Sequence, residues 1–358
     1  MFKKKKQEIF TPASAAEAYI PVDSDFVLKD NAASIEIDSN FAAQSFWKEV
    51  LVRFFRKGSA VFGMVMIIFI TIMAVIGPNM NDYTYSGQDL SQKSLAPRVP
   101  GLENLGIFNG DEKISGSSGV RVVNNYKEKG LTDVYYWFGS DNFGRDIWTR
   151  TWHGARVSLI IAVVAAVIDM IIGMSYGLIS GFFGGKVDMV MQRFLEVANS
   201  IPRLVIVTLL LLVFKPGMLT IIIALMLTEW VGMSRIARAE MLKLKEQEFV
   251  LASRTLGAGS FFIIFREVLP NIIGPIITQV MFSIPTAIFT EAFLSFVGLG
   301  IPVPQCSLGS LISEGFNSFT THPYQIVAPI LVMALLMLSF NLVADGLREA
   351  LDPKMKEM

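Results

Sequence analysis

Asp169, Glu229, Glu291 and Asn341 stand inside long apolar runs, and Asp345 near the end of one. A carboxylate in hydrocarbon is costly, so such groups must face one another, a polar cavity or water. They are therefore expected to bond between helices or to line a path for a polar solute. Asp169 and Glu291 would also suit proton carriage in a secondary transporter, although no pair of internal repeats with matching broken helices supports that. Gly173-Met174-Ser175-Tyr176-Gly177 fits the GxSxG nucleophile pattern. That pattern needs a strand–turn–helix elbow with an acid and a histidine beside it, whereas this copy lies in an apolar run. His153 and His322 are the only histidines and Cys306 the only cysteine, which excludes a histidine-built centre, a multi-cysteine metal site and an intrachain disulfide. The Gly185-Lys186 pair is followed by Val187, so no phosphate-cradling loop is present. No catalytic, cofactor-binding or metal-ligating residue is expected. If ATP drives this protein, another subunit must bind it.

Composition says what positions these residues. Of 358 residues, 52 % are hydrophobic and 17 % charged, and the mean hydropathy is +0.50. Soluble domains carry about 25 % charged residues. A soluble enzyme, a disordered chain and a secreted disulfide scaffold are excluded. The net charge is zero, which points to no nucleic-acid partner. Six runs are long enough to cross a roughly 30 Å hydrocarbon layer as helices. They cover about Ser59–Ile76, Val157–Ser180, Phe194–Phe214, Met218–Ile236, Ile272–Gly298 and Gln325–Leu347. Helix is the default, because an open strand edge in lipid leaves backbone groups unpaired. Pro202, Pro275, Pro285 and Pro329 predict kinks.

Lysines and arginines cluster before the first run, between the second and third, between the fourth and fifth, and in the C-terminal tail. Residues 299–324 carry none. Both termini are therefore expected in the cytoplasm. The chain divides into a cytoplasmic tail (1–58), a first membrane helix (59–77), an extracytoplasmic insertion (78–156), a five-helix core (157–347) and a C-terminal tail (348–358). The four lysines at 3–6 are followed by no apolar segment, so no cleaved signal is expected. Within the insertion, Asn109 to Gly119 is rich in Gly, Ser and charge and reads as loop.

The cytoplasmic segment 235–271 carries the most information. Residues 239–256 have helical character, with Leu242, Phe249 and Leu256 seven apart. Gly257-Ala258-Gly259 stops that helix and Ser260 is placed to cap a second, Phe261 to Val268. Leu269-Pro270-Asn271 returns the chain to the membrane. The apolar side chains of this hairpin need cover, from the chain's own helix ends or from a groove on another protein. Gly173, Gly177, Gly181 and Gly185 recur every four residues, a stripe that lets a second helix approach closely.

Three stretches resemble a known family. The first is Gly139-Ser140-Asp141-Asn142-Phe143-Gly144-Arg145-Asp146 with Arg150, Gly154 and Arg156 after it. The second runs from Gly181 through Asp188 and Arg193 to Ile201-Pro202. The third is Glu248-Phe249-Val250-Leu251-Ala252-Ser253-Arg254-Thr255-Leu256-Gly257 followed by Leu269-Pro270-Asn271. Together they resemble the permease subunits of ATP-binding-cassette peptide and nickel importers, closest to the C-type oligopeptide component, over about residues 50–356. The third stretch looks like the importer coupling motif, which generally begins Glu-Ala-Ala where this chain has Leu251-Ala252-Ser253.

The resemblance implies an all-α polytopic membrane protein of six transmembrane helices, with the type I importer permease fold and a cytoplasmic coupling helix. It implies a bacterial cell-membrane location and a non-enzymatic subunit. The partners would be a homologous B-type permease, two cytoplasmic ATPases that bind ATP and magnesium, and an extracellular or periplasmic peptide-binding protein. The cargo would be an oligopeptide, with a dipeptide or nickel as the alternatives. Glu248, Phe249, Leu251, Ala252, Ser253, Leu256, Gly257, Leu269 and Pro270 would form the ATPase-coupling surface.

Overall fold

The computed structural model describes residues 46–116 and 119–351, with side chains given outside 113–120. Expectations for the lysines at 3–6 and for residues after 351 lie outside that range. From Trp47 onward the described residues form one compact unit.

Five helices are long and apolar enough to span a membrane. The first is α2 (Gly58–Ile76), preceded by a short α1 (Phe46–Arg56). Residues 46–56 were expected in a polar tail. They are helical because Val50 and Phe54 face inward to pack near Ala60 and Ala350. A one-turn α3 (Asn125–Glu128) lies in the insertion.

The second span, α4, runs Ile147–Phe183. It begins at Ile147 rather than Val157, because Asp146 caps it by accepting from the Thr149 amide at 2.8 Å. The polar turns from Trp148 to Arg156 therefore continue a membrane helix instead of belonging to the insertion. The third expected span is broken. Helices α5 (Gly185–Ser200) and α6 (Arg203–Val213) meet at 78°. Pro202 has no amide hydrogen for the ladder and holds Ile201 in extended geometry.

The fourth span joins α7 (Met218–Thr228) to α8 (Trp230–Leu244), with Glu229 at the junction. A separate α9 (Glu248–Thr255) follows. The fifth span joins α10 (Ser260–Phe262), a π turn at Ile263–Val268 and α11 (Leu269–Phe296) into one run from Ser260 to Phe296. After α12 (Leu308–Asn317), the sixth span α13 covers Tyr324–Leu351, several residues past Leu347. Pro275, Pro285 and Pro329 lie inside continuing helices.

Against the expected loop, Asp111–Gly116 and Gly119–Asn124 pair as antiparallel strands β1 and β2, with Asp111 opposite Asn124. This hairpin is the exception to an otherwise helical chain among the described residues. Composition misled there, because backbone pairing outweighs weak strand propensity. The insertion is folded: Leu95, Tyr126 and Tyr136 make a small core. Arg98 donates to the carbonyls of Leu131, Thr132 and Val134. Buried Arg145 at the end of the insertion and Arg150 of α4 both bind Glu314 of α12, at 2.7 and 3.0 Å, joining the insertion and α4 to the segment after α11.

The main core gathers Ile70 of α2, Ile161 and Ala165 of α4, Ile221 of α7, Ile288 of α11 and Leu336 of α13. In lipid such packing is held by close contact and dispersion, since removal from water contributes little. Small residues permit it. Gly63 of α2 lies so near α13 that a Cβ would come within 2.7 Å of the Ser339 carbonyl.

Candidate functional site

The segment between α8 and the fifth span, expected in the cytoplasm, is the candidate site. Expected as one helix over 239–256, it is two. Helix α8 ends at Leu244, residues 245–247 turn, and α9 restarts at Glu248. Leu242, Phe249 and Leu256 therefore form no continuous stripe. The run of three charged or polar residues, Lys245 to Gln247, carries no apolar anchor, and the break lets α9 turn back onto the bundle.

One side chain fixes α9 there. Val250 is fully buried among Phe182 of α4, Met241 of α8 and Ile264 of the π turn. Ser253 donates to Glu267 Oε1 at 2.7 Å, and the Arg254 guanidinium lies 4.7 Å from the centre of the Phe182 ring. With that face occupied, Phe249 (41 % exposed), Leu251 (47 %) and Leu256 (87 %) point outward. Glu248 and Ala252 are also exposed, and Ser253 is half-buried. Of the two sources of cover considered from sequence, the chain's own helix ends take Val250 and leave these three open.

Gly257 turns the chain at φ +83°, a conformation that costs an L residue about 1 kcal/mol, with no atom within 4 Å of a Cβ placed there. The second helix starts at Ser260 itself, and Gly259 occupies the cap position without a side-chain bond, so Ser260 is not the cap. Leu269-Pro270 was expected to mark a return into the membrane. No break occurs there: Leu269 is half-buried and Pro270 exposed within a continuing helix. The Leu269 amide reaches back five residues to the Ile264 carbonyl. The widened π turn seats Pro270 near the start of α11, where a missing amide hydrogen is tolerated. Asn271 Nδ2 donates to the Glu267 carbonyl at 2.7 Å.

The hairpin is fastened to the bundle through the glycine stripe. Cβ atoms at Gly173, Gly177 and Gly181 would meet the Trp230 carbonyl at 2.5 Å, the Ser234 carbonyl at 2.1 Å and Met241 Cβ at 2.9 Å. Helices α4 and α8 thus touch backbone to backbone. Gly185 has left the stripe, with φ +51° and open space around it. Below it Arg238 clamps Asp188 through two hydrogen bonds of 2.6 Å. The GxSxG stretch is helical within α4.

The intramembrane polar residues resolve differently. Glu291, 0 % exposed, accepts from Ser158, Ser295 and Ser307 at 3.1, 2.7 and 2.6 Å. It ties α4 and α11 to Ser307, the cap of α12. Glu229 pairs with Arg203 at 2.7 Å. Asp169 accepts from Ser283 at 2.6 Å. Asn341 is half-buried and makes no side-chain hydrogen bond among the described residues, and Asp345 is exposed. The sequence reading missed Val250, Glu267, Arg203 and Ser307. Only Arg203 carried a signal, as a charge inside an apolar run.

Cys306 is buried, with its thiol toward the Arg150 carbonyl, and burial pushes the thiol up to about 11. At pH 8 it stays protonated as well as enclosed. Intact protein is therefore expected to resist a membrane-impermeant maleimide, with labelling appearing only in denaturant; mass spectrometry reads both. A Leu256→Cys variant should label at once, and the side of the membrane on which it labels reports the hairpin's location.

A profile described as "Binding-protein-dependent transport system inner membrane component" matches residues 170–357. Another, "N-terminal TM domain of oligopeptide transport permease C", matches residues 45–97. The oligopeptide transport system permease protein OppC of Bacillus subtilis is 40 % identical across 87 % of this chain and 91 % of its own length. The dipeptide transport system permease protein DppC of Lactococcus lactis is 42 % identical across 88 % and 92 %. A solved structure of the MetNI methionine ABC transporter, inward-facing, aligns with 57 % of this chain at TM-score 0.49 and 16 % identity. On the sequence matches, which span most of its length, the chain belongs to the family of inner-membrane components of binding-protein-dependent transport systems, alongside the C-type oligopeptide and dipeptide permeases.

Proposed function

We propose that this chain is one permease subunit of an ATP-driven oligopeptide importer in the bacterial cell membrane, with both termini in the cytoplasm. A B-type permease supplies the other half of the pathway, two cytoplasmic ATPases bind ATP and magnesium, and a binding protein delivers the peptide from outside. The observation that carries this is α9: a helix anchored by Val250 while Phe249, Leu251 and Leu256 stand open beside a glycine turn. That surface suits a groove on a motor subunit, in the way an amphipathic helix docks in a cleft.

The geometry supplies a transmission. Closure of the ATPases on ATP binding displaces α9, and Ser253–Glu267 passes the displacement to the fifth span. The run Ser260–Phe296 has 37 residues, about 55 Å of helix at 1.5 Å per residue. At its far end Glu291 grips Ser307 at the start of α12. A push in the cytoplasm thus reaches α12 on the opposite side, with α8 moving as one body with α4 through the glycine stripe. ATP hydrolysis resets the assembly.

The similarity to dipeptide permeases of 38 % and 42 % identity keeps dipeptides as the second reading of the cargo. The test is reconstitution of the chain with its B-type permease, ATPases and binding protein in proteoliposomes. ATP-dependent accumulation of peptides longer than two residues is expected. Accumulation of dipeptides or nickel alone would change the cargo, and accumulation that needs no ATPase but follows a proton gradient would overturn the mechanism.

A further inference from the structure

The two most enclosed carboxylates in the spans differ in one respect. Three hydroxyls close Glu291. Asp169, 3 % exposed, has Ser283 on Oδ2, while Oδ1 has no hydrogen-bond partner among the described residues. An unmet oxygen of a charged carboxylate is costly away from water.

Asp169 borders a cavity of about 270 Å³ between α4, α5, α6, α8 and α11, whose wall also holds Asn199, Arg203, Glu229, Arg235 and Gln279. Two carboxylates face two guanidinium groups, so the formal charge of the wall sums to zero. Arg203 uses Nη1 on Glu229 and keeps the rest of its fork for other acceptors. A wall with carboxylate and amide acceptors, spare guanidinium donors and no net charge matches a polypeptide main chain, which offers N–H and C=O groups in alternation. It does not match a metal ion or an anion, either of which would require charge of one sign.

We propose that this cavity is the chain's contact with the peptide in transit, Asp169 Oδ1 accepting from a peptide N–H, either a main-chain amide or the terminal ammonium. The assignment rests on the importer reading above. Asp169 touches the cargo only when the helices part enough to uncover Oδ1, which places the contact in the moving half of the cycle.

The test uses the complete importer in proteoliposomes, as wild type, Asp169→Asn and Asp169→Leu, with a tripeptide and its N-acetylated form, each normalised to its occupancy of the binding protein. Both variants are expected to assemble with permease and ATPases as the wild type does, to keep ATP hydrolysis stimulated by the binding protein, and to move peptide about tenfold more slowly, the scale of one charge-assisted hydrogen bond. A defect confined to the free-amino peptide assigns the ammonium; an equal defect with both assigns the main-chain amide. Wild-type uptake by both variants overturns the assignment while leaving the importer reading intact. So does a loss of uptake matched by loss of the assembled complex, which makes Asp169 a contact to the other permease. Absence of uptake by the wild type overturns the importer reading and this inference with it.

Discussion

The Leu256→Glu variant is expected to insert and fold like the wild type, to lose co-purification with the ATPases, and to lose peptide uptake by about thirtyfold or more. Leu256 is 87 % exposed and its neighbour Gly257 meets nothing within 4 Å. The α9 helix holds its place through Val250, Ser253 and Arg254 on its other side. Exposed positions of this kind change stability by no more than about 0.5 kcal/mol. An apolar anchor seated in a partner's pocket is different: truncating one costs about 2–4 kcal/mol, and a carboxylate there adds desolvation. Size-exclusion of the detergent-solubilised complex and uptake read the two effects separately. Normal assembly and uptake would show that α9 is not the grip. Val250→Asp is the contrast, expected to lower thermal stability because it buries a charge in the chain's own core.

Gly177→Leu is expected to be the most damaging single change in the membrane region. The Ser234 carbonyl would sit 2.1 Å from the new Cβ, and Ala237 Cβ 2.9 Å away. Both neighbours are buried against α4 and neither obstacle is a flexible side-chain end. Helices α4 and α8 must separate, at a cost of about 3 kcal/mol or more, and Arg238, whose backbone amide lies 2.9 Å from the new Cβ, is pulled out of register with Asp188. The variant should show a strongly lowered melting temperature and reduced recovery from membranes. Gly185→Leu, at the open end of the stripe, meets no neighbour and carries only the strain of its φ of +51°, so a much smaller loss is expected. Equal stability of Gly177→Leu and wild type would mean the close approach is not structural.

How much was legible in advance follows the range of the interactions. Five spans appear where apolar runs were long enough, because crossing lipid is decided by local hydropathy. The glycine stripe was visible as a four-residue repeat, and α8 fills it. The exposed hairpin with a glycine turn was visible as polar punctuation around apolar residues. The three-residue break at Lys245–Gln247 was not, since helix propensity there is adequate and only Val250's pocket makes the turn favourable. The β1–β2 hairpin was hidden for a similar reason, being paid for by cross-strand pairing that composition does not register.

The residues alone determined that this is a multi-spanning membrane protein, and that the segment between its fourth and fifth spans carries apolar residues beside a glycine turn, because these depend on composition and on neighbours a few positions apart. Tertiary structure alone decided which polar groups are spent on holding the helices together. Glu291 and Asp169 look alike along the chain. The partners that separate them, Ser158 and Ser307 for one and Ser283 beside a cavity for the other, are brought close only when helices distant in sequence pack side by side.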